Sequence, residues 1–212
     1  MQRKIRIGPK KNKCDGPVKN VLNAAASLFS RKGYLETTID EIAVAAGITK
    51  GGIYYYFDSK ADILYSICSS YIDNDIDVLE QIVDSISSYE DKLRYIVKNH
   101  ITHYSRQQNF AKTLLHESYN LPKSLLQEIK KKERKYYEMV LNIINGILGE
   151  NVERELATAV TFSLFAMMNW IYKWYNPRGS LKPDKLSEIV FNLFMNGVGS
   201  LAMTSRFMKP DT

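Results

Sequence analysis

The residues of this chain best suited to chemistry cluster in residues 37–64, which read TTIDEIAVAAGITKGGIYYYFDSKADIL. Gly51 and Gly52 directly follow Thr49 and Lys50, and glycines in the first turn of a helix let its backbone approach another molecule closely. The unpaired amide N–H groups and the dipole at such a helix end favour a phosphate group. This spacing therefore predicts binding to phosphates, not the making or breaking of bonds.

Further polar side chains flank this turn. Tyr54 and Tyr55 carry hydroxyls that can contact phosphates or base edges, and rings that can pack on a sugar or a thymine methyl group. We expect Lys60 to pin the nucleic-acid backbone from the next helix, and Thr37 and Thr38 to do the same on the other side of the groove. An exposed structural role is the alternative for each of these polar residues.

The elements that must position these residues are two short helices and a turn. Residues 38–41, Thr-Ile-Asp-Glu, form a T-x-x-E capping box that starts the first of them. Gly47 permits the sharp turn, Thr49 caps the second helix, and Ser59 caps a long helix that follows. This order predicts a helix-turn-helix, whose second helix lies in the major groove of DNA.

Helical periodicity runs nearly from end to end and strand signals are almost absent, so we predict an all-α chain of nine helices. Helix one opens at Asp15-Gly16-Pro17 and stops at Gly33, helix two starts after Thr38, helix three runs from Thr49 to Phe57, and helix four follows Ser59. The later helices are predicted near residues 91–106, 110–119, 122–148, 152–175 and 183–205.

Charge divides the chain in the same place as this pattern. Residues 1–60 contain 11 Lys and Arg against 5 Asp and Glu, while residues 61–212 contain 18 of each. Excess positive charge on one segment indicates a phosphate-binding module, with a solvated basic tail as the alternative. We predict a disordered basic tail at 1–14, a DNA-binding domain at 15–60, and a larger helical body at 61–212.

Composition argues against several other classes of protein. Cys14 and Cys68 are too few for a disulfide framework. The N-terminus lacks the apolar region of a signal peptide, and the most apolar segment, residues 156–172, is short and interrupted by polar residues. We therefore expect a cytoplasmic protein that spans no membrane.

Catalytic and metal sites have little support. The chain holds no GxSxG, HExxH or phosphate-loop motif, so we predict no catalytic residue and no enzyme activity. His100 and His103 are one turn apart and His116 follows, but no Cys or carboxylate ligand is near them in sequence. A pocket wall or a satisfied core position is favoured over a metal site.

The segment GITKGGIYYYFDSKADIL resembles the motif of the TetR family of transcriptional repressors, G-[VI]-[ST]-x-G-x-[IL]-Y-x-[HY]-F-x-[SN]-K-x-x-L. The resemblance covers nearly the whole chain and implies a TetR-like architecture, with a three-helix head and a ligand-binding and dimerisation body. It also implies a dimer on a palindromic operator that a small hydrophobic effector releases. Gly52 departs from the family, which more often has Ser, Thr, Ala or Pro there.

The segment with the pattern W-x-x-x-W-Y-x-P-x-G, starting at Trp170, looks like the subgroup that regulates fatty-acid and sterol catabolism. That resemblance implies an acyl-CoA thioester as effector, with Arg106, Lys112 and the basic run 130–135 as candidates for the CoA phosphates. A solvated helix face is the alternative for the run. A sensor of drugs or aromatic compounds, or a nonspecific architectural DNA-binding protein, is the alternative function.

Aromatic and methionine side chains are dense in the body, and such side chains tolerate varied ligands. Plain core packing is the alternative for each of them. The residues predicted to bind the effector are Tyr104, Phe110, Tyr119, Tyr137, Phe162, Met167, Trp170 and Trp174.

The last two helices are the predicted dimer interface. Helix eight is apolar nearly all round, which a monomer surface does not tolerate, and glycines in helix nine allow close approach of two helices. The alternative is that both are internal core helices. The residues predicted at the interface are Phe165, Leu193, Phe194, Gly197 and Leu201.

Overall fold

The computed structural model describes residues 16–83, 85–149 and 152–202, and the predicted tail at 1–14 lies outside them. Across these residues the chain forms nine α-helices and no β-strand, which confirms the predicted all-α class. The helices are α1 Gly16–Lys32, α2 Ile39–Ala46, α3 Lys50–Tyr56, α4 Lys60–Val83, α5 Tyr89–Arg106, α6 Gln108–Glu117, α7 Lys123–Leu148, α8 Arg154–Asn169 and α9 Pro183–Ala202.

Three predicted helices had a start or an end that was wrong by two or more residues. Helix α5 starts at Tyr89, because Ser88 caps it and accepts from the backbone N–H of Asp91 at 3.3 Å. Helix α6 starts at Gln108, two residues before its predicted start. It ends at Glu117 and is followed by a short 3₁₀ helix at Ser118–Asn120. Helix α8 starts at Arg154 instead of residue 152 and ends at Asn169 instead of residue 175.

The end of α8 is a tightening of its last turn. A 3₁₀ helix at Trp170–Lys173 replaces that turn, and the N–H groups of Trp174 and Tyr175 both donate to the Ile171 carbonyl. Tightening into 3₁₀ geometry is a common way for a helix to end.

The chain packs as two compact units, which do not coincide with the predicted domains. The first unit comprises the residues up to Asn74 together with Gln107–Glu133, and the second comprises Asp75–Arg106 with the residues from Arg134 onward. This division follows side-chain packing, whereas the predicted boundary at residue 60 follows charge and motif, so that boundary stays a prediction.

In the first unit, α1 packs against α2 and α6, and α2 packs against α3. Amphipathic spacing explains the core, since the buried apolar residues of α1 recur every three or four positions. Fully enclosed residues of α1, α2, α3 and the turn after α3 include Val18, Val21, Ala25, Phe29, Ile42, Ile53 and Phe57.

In the second unit, α9 packs along α5 and also contacts α8. Ion pairs of Arg94 with Glu188 and of Lys98 with Asp184 lie along the α5–α9 contact. Among the described residues, no helix combines the length and the apolar character that crossing a membrane requires.

Candidate nucleic-acid interface and effector site

Helix α2 is held by its own capping box. The Thr38 hydroxyl accepts from the Glu41 N–H at 3.2 Å, and the Glu41 carboxylate accepts from the Thr38 N–H at 2.8 Å. A hydrogen bond from Lys32, and next those from Thr38, lower the pKa of Glu41 to about 2. Gly47 ends the helix with a φ of 68°, a left-handed conformation that glycine adopts without strain.

Helix α3 follows this turn and is capped by Thr49. The Thr49 hydroxyl accepts from the Gly52 N–H at 3.1 Å, and Gly51 is exposed. Lys50 bonds Asp40 of α2 at 2.9 Å, and this hydrogen bond raises the pKa of the lysine. The ion pair ties the exposed end of α3 to α2.

The two faces of α3 differ in character. Ile53 is buried in the head, whereas 43% of Tyr54 and 50% of Tyr55 are exposed. The Tyr55 ring meets the edge of the Tyr56 ring, with 4.9 Å between centroids. The structure therefore brings an exposed tyrosine pair and an exposed first turn onto one short helix, and the contact of these residues with DNA stays a prediction.

Thr37 does not lie where the sequence analysis placed it. Only 1% of the residue is exposed, and its hydroxyl donates to the Gly33 carbonyl at 2.8 Å. A buried hydroxyl needs such a partner, so the side chain closes the turn between α1 and α2 and the prediction of a DNA contact was wrong. Thr38 is exposed beside it.

Lys60 lies against the turn between α1 and α2. Its Nζ donates to the carbonyls of Tyr34 at 2.8 Å and Thr37 at 2.7 Å, and lies 4.3 Å from the centre of the Tyr34 ring. Burial lowers the pKa of the lysine. The amine thus holds the α1–α2 turn in place, and its contact with a phosphate stays a prediction.

Four of the predicted effector residues lie on the surface. Tyr119, Phe162, Trp170 and Trp174 are more than half exposed, and their contact with an effector stays a prediction. Phe162 and Ala166 lie one turn apart on the exposed side of α8, and Trp170 follows at the start of the 3₁₀ turn. Tyr104 is buried, and Phe110, Tyr137 and Met167 are half-buried.

The predicted dimer residues are divided between surface and core. Leu193 is 64% exposed and Gly197 is exposed with open space where a Cβ would stand. Phe194 is buried, and Phe165 is half-buried with its ring against Tyr136, so these two are packed within the second unit. The side chain of Leu201 lies outside the described residues.

A buried polar cluster in the second unit escaped the sequence analysis. The His103 Nδ1 lies 2.7 Å from Asp75 Oδ1, and the His100 Nε2 lies 3.2 Å from Asn169 Oδ1. Asp75 lies 28 residues before His103, so no local spacing reveals the pair. The described residues contain no group of three or more His, Cys, Asp or Glu that could hold a metal ion.

The basic run 130–135 is an ion-paired surface. Each of its cations pairs with a carboxylate, and surface ion pairs of this kind stabilise a fold only slightly. The pairs are Lys130–Glu133, Lys131–Glu128, Lys132–Asp73, Arg134–Glu138 and Lys135–Glu80. This arrangement favours the solvated helix face over a CoA phosphate site for the run.

Helices α2 and α3 form a capped helix-turn-helix with an exposed tyrosine pair. Together with the second helical unit of this all-α chain, they define a helix-turn-helix DNA-binding regulator. The C-terminal domain family described as tetracyclin repressor-like matches residues 87–198, and the family described as bacterial regulatory proteins, tetR family, matches residues 21–67. The chain belongs to the tetR family of transcriptional regulators.

Relatives support the same conclusion. The chain is 26% identical over 187 residues to the transcriptional repressor KstR2 of Rhodococcus jostii, covering 85% of this chain and 90% of the relative. It is 28% identical over 133 residues to the fatty acid metabolism regulator protein of Bacillus subtilis, covering 63% and 66%.

Solved structures agree with the fold. A TetR-family regulator from Bordetella parapertussis superposes with a TM-score of 0.81 at 28% identity, over 89% of this chain and 97% of the other. AibR, crystallised with isovaleryl coenzyme A and operator DNA, superposes with a TM-score of 0.73 at 25% identity, over 84% and 97%.

Proposed function

We propose that the chain is a dimeric repressor that binds a palindromic operator and is released by an acyl-CoA thioester. The observation that carries the DNA-binding part is the exposed face of α3. Gly51, Tyr54 and Tyr55 are exposed there, while Ile53 of the same helix is buried. Such a face offers backbone, hydroxyl and ring contacts to a major groove.

Each exposed residue has a distinct part in this proposal. Thr38, Thr49 and Lys50 contact phosphates around the groove, while Tyr54 and Tyr55 reach base edges or sugars. Gly52 has room for a small side chain, since a Cβ there would meet Thr49 and Ile48 at no less than 3.4 Å. The glycine thus reduces side-chain contact with DNA and is not demanded by the packing of the head.

Exposed apolar residues of α8 and α9 support the dimer. Phe162 of α8 and Trp170, the residue that follows this helix, are both exposed, and Ile189, Leu193 and Gly197 recur every four residues along α9. Large exposed apolar groups of this kind mark interaction surfaces. Pairing with a second copy would cover them and would set two heads about 34 Å apart on DNA.

Two kinds of support favour an acyl-CoA thioester as effector. The relatives include a fatty acid metabolism regulator, and AibR was crystallised with isovaleryl coenzyme A. In the second unit, rings of α7 and α8 form a continuous apolar row that suits a hydrocarbon chain, described below. Arg106, exposed at the end of α5, is our candidate for a phosphate contact.

Release requires a difference in affinity between two states. An effector that binds better to a body conformation with the wrong head spacing shifts the protein away from the operator by that difference alone. In this proposal residues 15–60 read the DNA, and residues 61–212 bind the effector and the second copy.

The test starts with an operator selected from random duplexes and measured by fluorescence anisotropy. Tyr54→Phe and Tyr55→Phe should each weaken operator binding about three- to tenfold by removing one hydroxyl contact. Tyr95→Phe, an exposed tyrosine of α5, is the matched control and should bind normally. Unchanged binding in both head variants would contradict the assigned face.

The effector is tested on the same complex with CoA thioesters of increasing chain length, the corresponding free acids, and planar cationic drugs. Release by thioesters, together with a thermal stabilisation of about 2.7 kcal/mol at 100 times the dissociation constant, supports the proposal. Release only by drugs or by free acids would retain the repressor and discard the thioester.

A further inference from the structure

The ring of His100 has one nitrogen satisfied and one not. Only 7% of the residue is exposed. Its Nε2 lies 3.2 Å from Asn169 Oδ1, whereas its buried Nδ1 has no hydrogen-bond partner among the described residues. Buried polar atoms in native proteins are nearly always paired, so this nitrogen needs an explanation.

The partner of Nε2 determines whether Nδ1 donates or accepts a hydrogen bond. An amide oxygen only accepts, so Nε2 carries the proton and Nδ1 presents a lone pair. Burial, and then the nearby His103, lower the pKa of His100, while Asp75 and the Asn169 hydrogen bond oppose that shift. The ring is therefore neutral near pH 7, and Nδ1 is an acceptor that lacks a donor.

Aromatic rings lead from the surface to the ring of His100. His100 stacks on Tyr136 at 6.4 Å between centroids, and Tyr136 meets the edge of Phe165 at 5.6 Å. Phe165 lies 6.4 Å from Tyr137, which stacks on Phe162 at 5.0 Å. The exposed fraction rises along the row, from 8% at Tyr136 to 58% at Phe162. The row offers an apolar track whose inner end is polar.

The neighbouring charges restrict the chemistry of that inner end. The Asp75 carboxylate bonds His103 at 2.7 Å and receives a longer bond from Asn99 at 3.4 Å. A buried carboxylate beside the site repels an anionic ligand group. A neutral donor, such as a hydroxyl group, satisfies Nδ1 without that penalty.

We infer that His100 Nδ1 is a ligand subsite, which accepts a hydrogen bond from a hydroxyl group carried on an apolar skeleton that lies along the aromatic row. The inference rests on the proposed function in that the occupant is the effector, and it adds the functional group that the effector carries. In this inference His100 selects effectors that carry a hydroxyl group. The hydrogen bond to Asn169 keeps the proton of His100 on Nε2.

The experiment uses matched probes on the full-length protein. 1-Decanol is compared with decyl methyl ether, and 2-naphthol with 2-methoxynaphthalene, with decanoate and 2-naphthoate as anionic partners. Calorimetry should give an alcohol at least about tenfold tighter than its ether, and a carboxylate no tighter than the ether. His100→Phe should abolish the preference and leave ether binding unchanged, while His116→Phe, an exposed histidine, should retain it.

A spectroscopic measurement keeps the test valid if His100→Phe does not fold. Nitrogen-15 spectra of labelled histidine in the wild type should show a neutral His100 whose Nδ1 signal moves upfield when an alcohol is added, and not when its ether is added. Equal affinity for alcohols and ethers, a preference that survives in His100→Phe, or no binding of any probe would overturn the inference.

The two proposals fail in different ways. Thioester release from the operator without any preference for an alcohol overturns only the subsite. An alcohol preference in a protein that selects no operator, or that no thioester releases, overturns the proposed function and leaves the subsite standing.

Discussion

The backbone N–H of Tyr34 donates a 3.0 Å hydrogen bond to Glu117 Oε2, which joins α6 to the turn before α2 across 83 residues of sequence. The carbonyl of the same residue accepts from Lys60 of α4. The turn that precedes α2 is therefore held by a carboxylate from α6 and an ammonium group from α4. Movement of either helix changes the support of the DNA-reading pair.

Removing the carboxylate should leave a half-buried amide unsatisfied. We expect Glu117→Ala to lower the free energy of unfolding by about 1–3 kcal/mol and to weaken operator binding, while Glu117→Gln, which retains an acceptor, has a smaller effect. Urea denaturation measures the first and anisotropy the second. Glu128→Ala, which breaks a surface ion pair with Lys131, is the control and should cost under about 1 kcal/mol. Equal losses of unfolding free energy in Glu117→Ala and in the control would refute a stabilising role for the Tyr34–Glu117 hydrogen bond.

Lys60 distinguishes a structural clamp from a phosphate contact. Lys60→Ala should lower the free energy of unfolding by about 1–3 kcal/mol and leave the salt dependence of operator binding unchanged, because the amine serves two carbonyls. Lys50→Ala should instead flatten the slope of log affinity against log salt by about one, as loss of one phosphate contact does. A slope change in Lys60→Ala at normal stability would support the phosphate role.

Acid should weaken the capping box of α2. The folded pKa of Glu41 is about 2 against an ordinary 4.5, so its contribution to stability is present above pH 4.5 and is lost as the pH falls toward 2. Glu41→Gln should flatten the dependence of the melting temperature on pH in that window. Lys32→Met, which removes the largest cause of the shift, should give most of the same effect. A wild-type slope in Glu41→Gln would contradict the assignment.

The exposed face of α8 and α9 predicts the oligomeric state. Leu193→Arg places a charge at the centre of that face and should convert a dimer into a monomer in sedimentation experiments, with a loss of operator affinity. Ser124→Arg, an exposed substitution in the first unit, should leave the dimer intact. A dimer that survives in Leu193→Arg would place the interface elsewhere.

Local sequence signals located most of the helices and the head. Capping residues act within a few positions, so Thr38, Thr49 and Gly47 marked the ends of α2 and α3 correctly. The end of α8 was overestimated because its apolar pattern continues through the 3₁₀ turn at Trp170–Lys173. Periodicity reports which face is apolar and does not report where α geometry gives way to a tighter turn.

The sequence by itself determined the all-α class and the helix-turn-helix, because caps, turns and amphipathic periods are local properties of the chain. Only the tertiary structure decided that Thr37 and Lys60 hold a turn and that Asp75 pairs with His103. It also decided that Trp170 faces outward while Phe194 faces the core. Each of these outcomes depends on which distant helix fills the space beside a residue, and burial and charge pairing across such distances leave no local pattern to read.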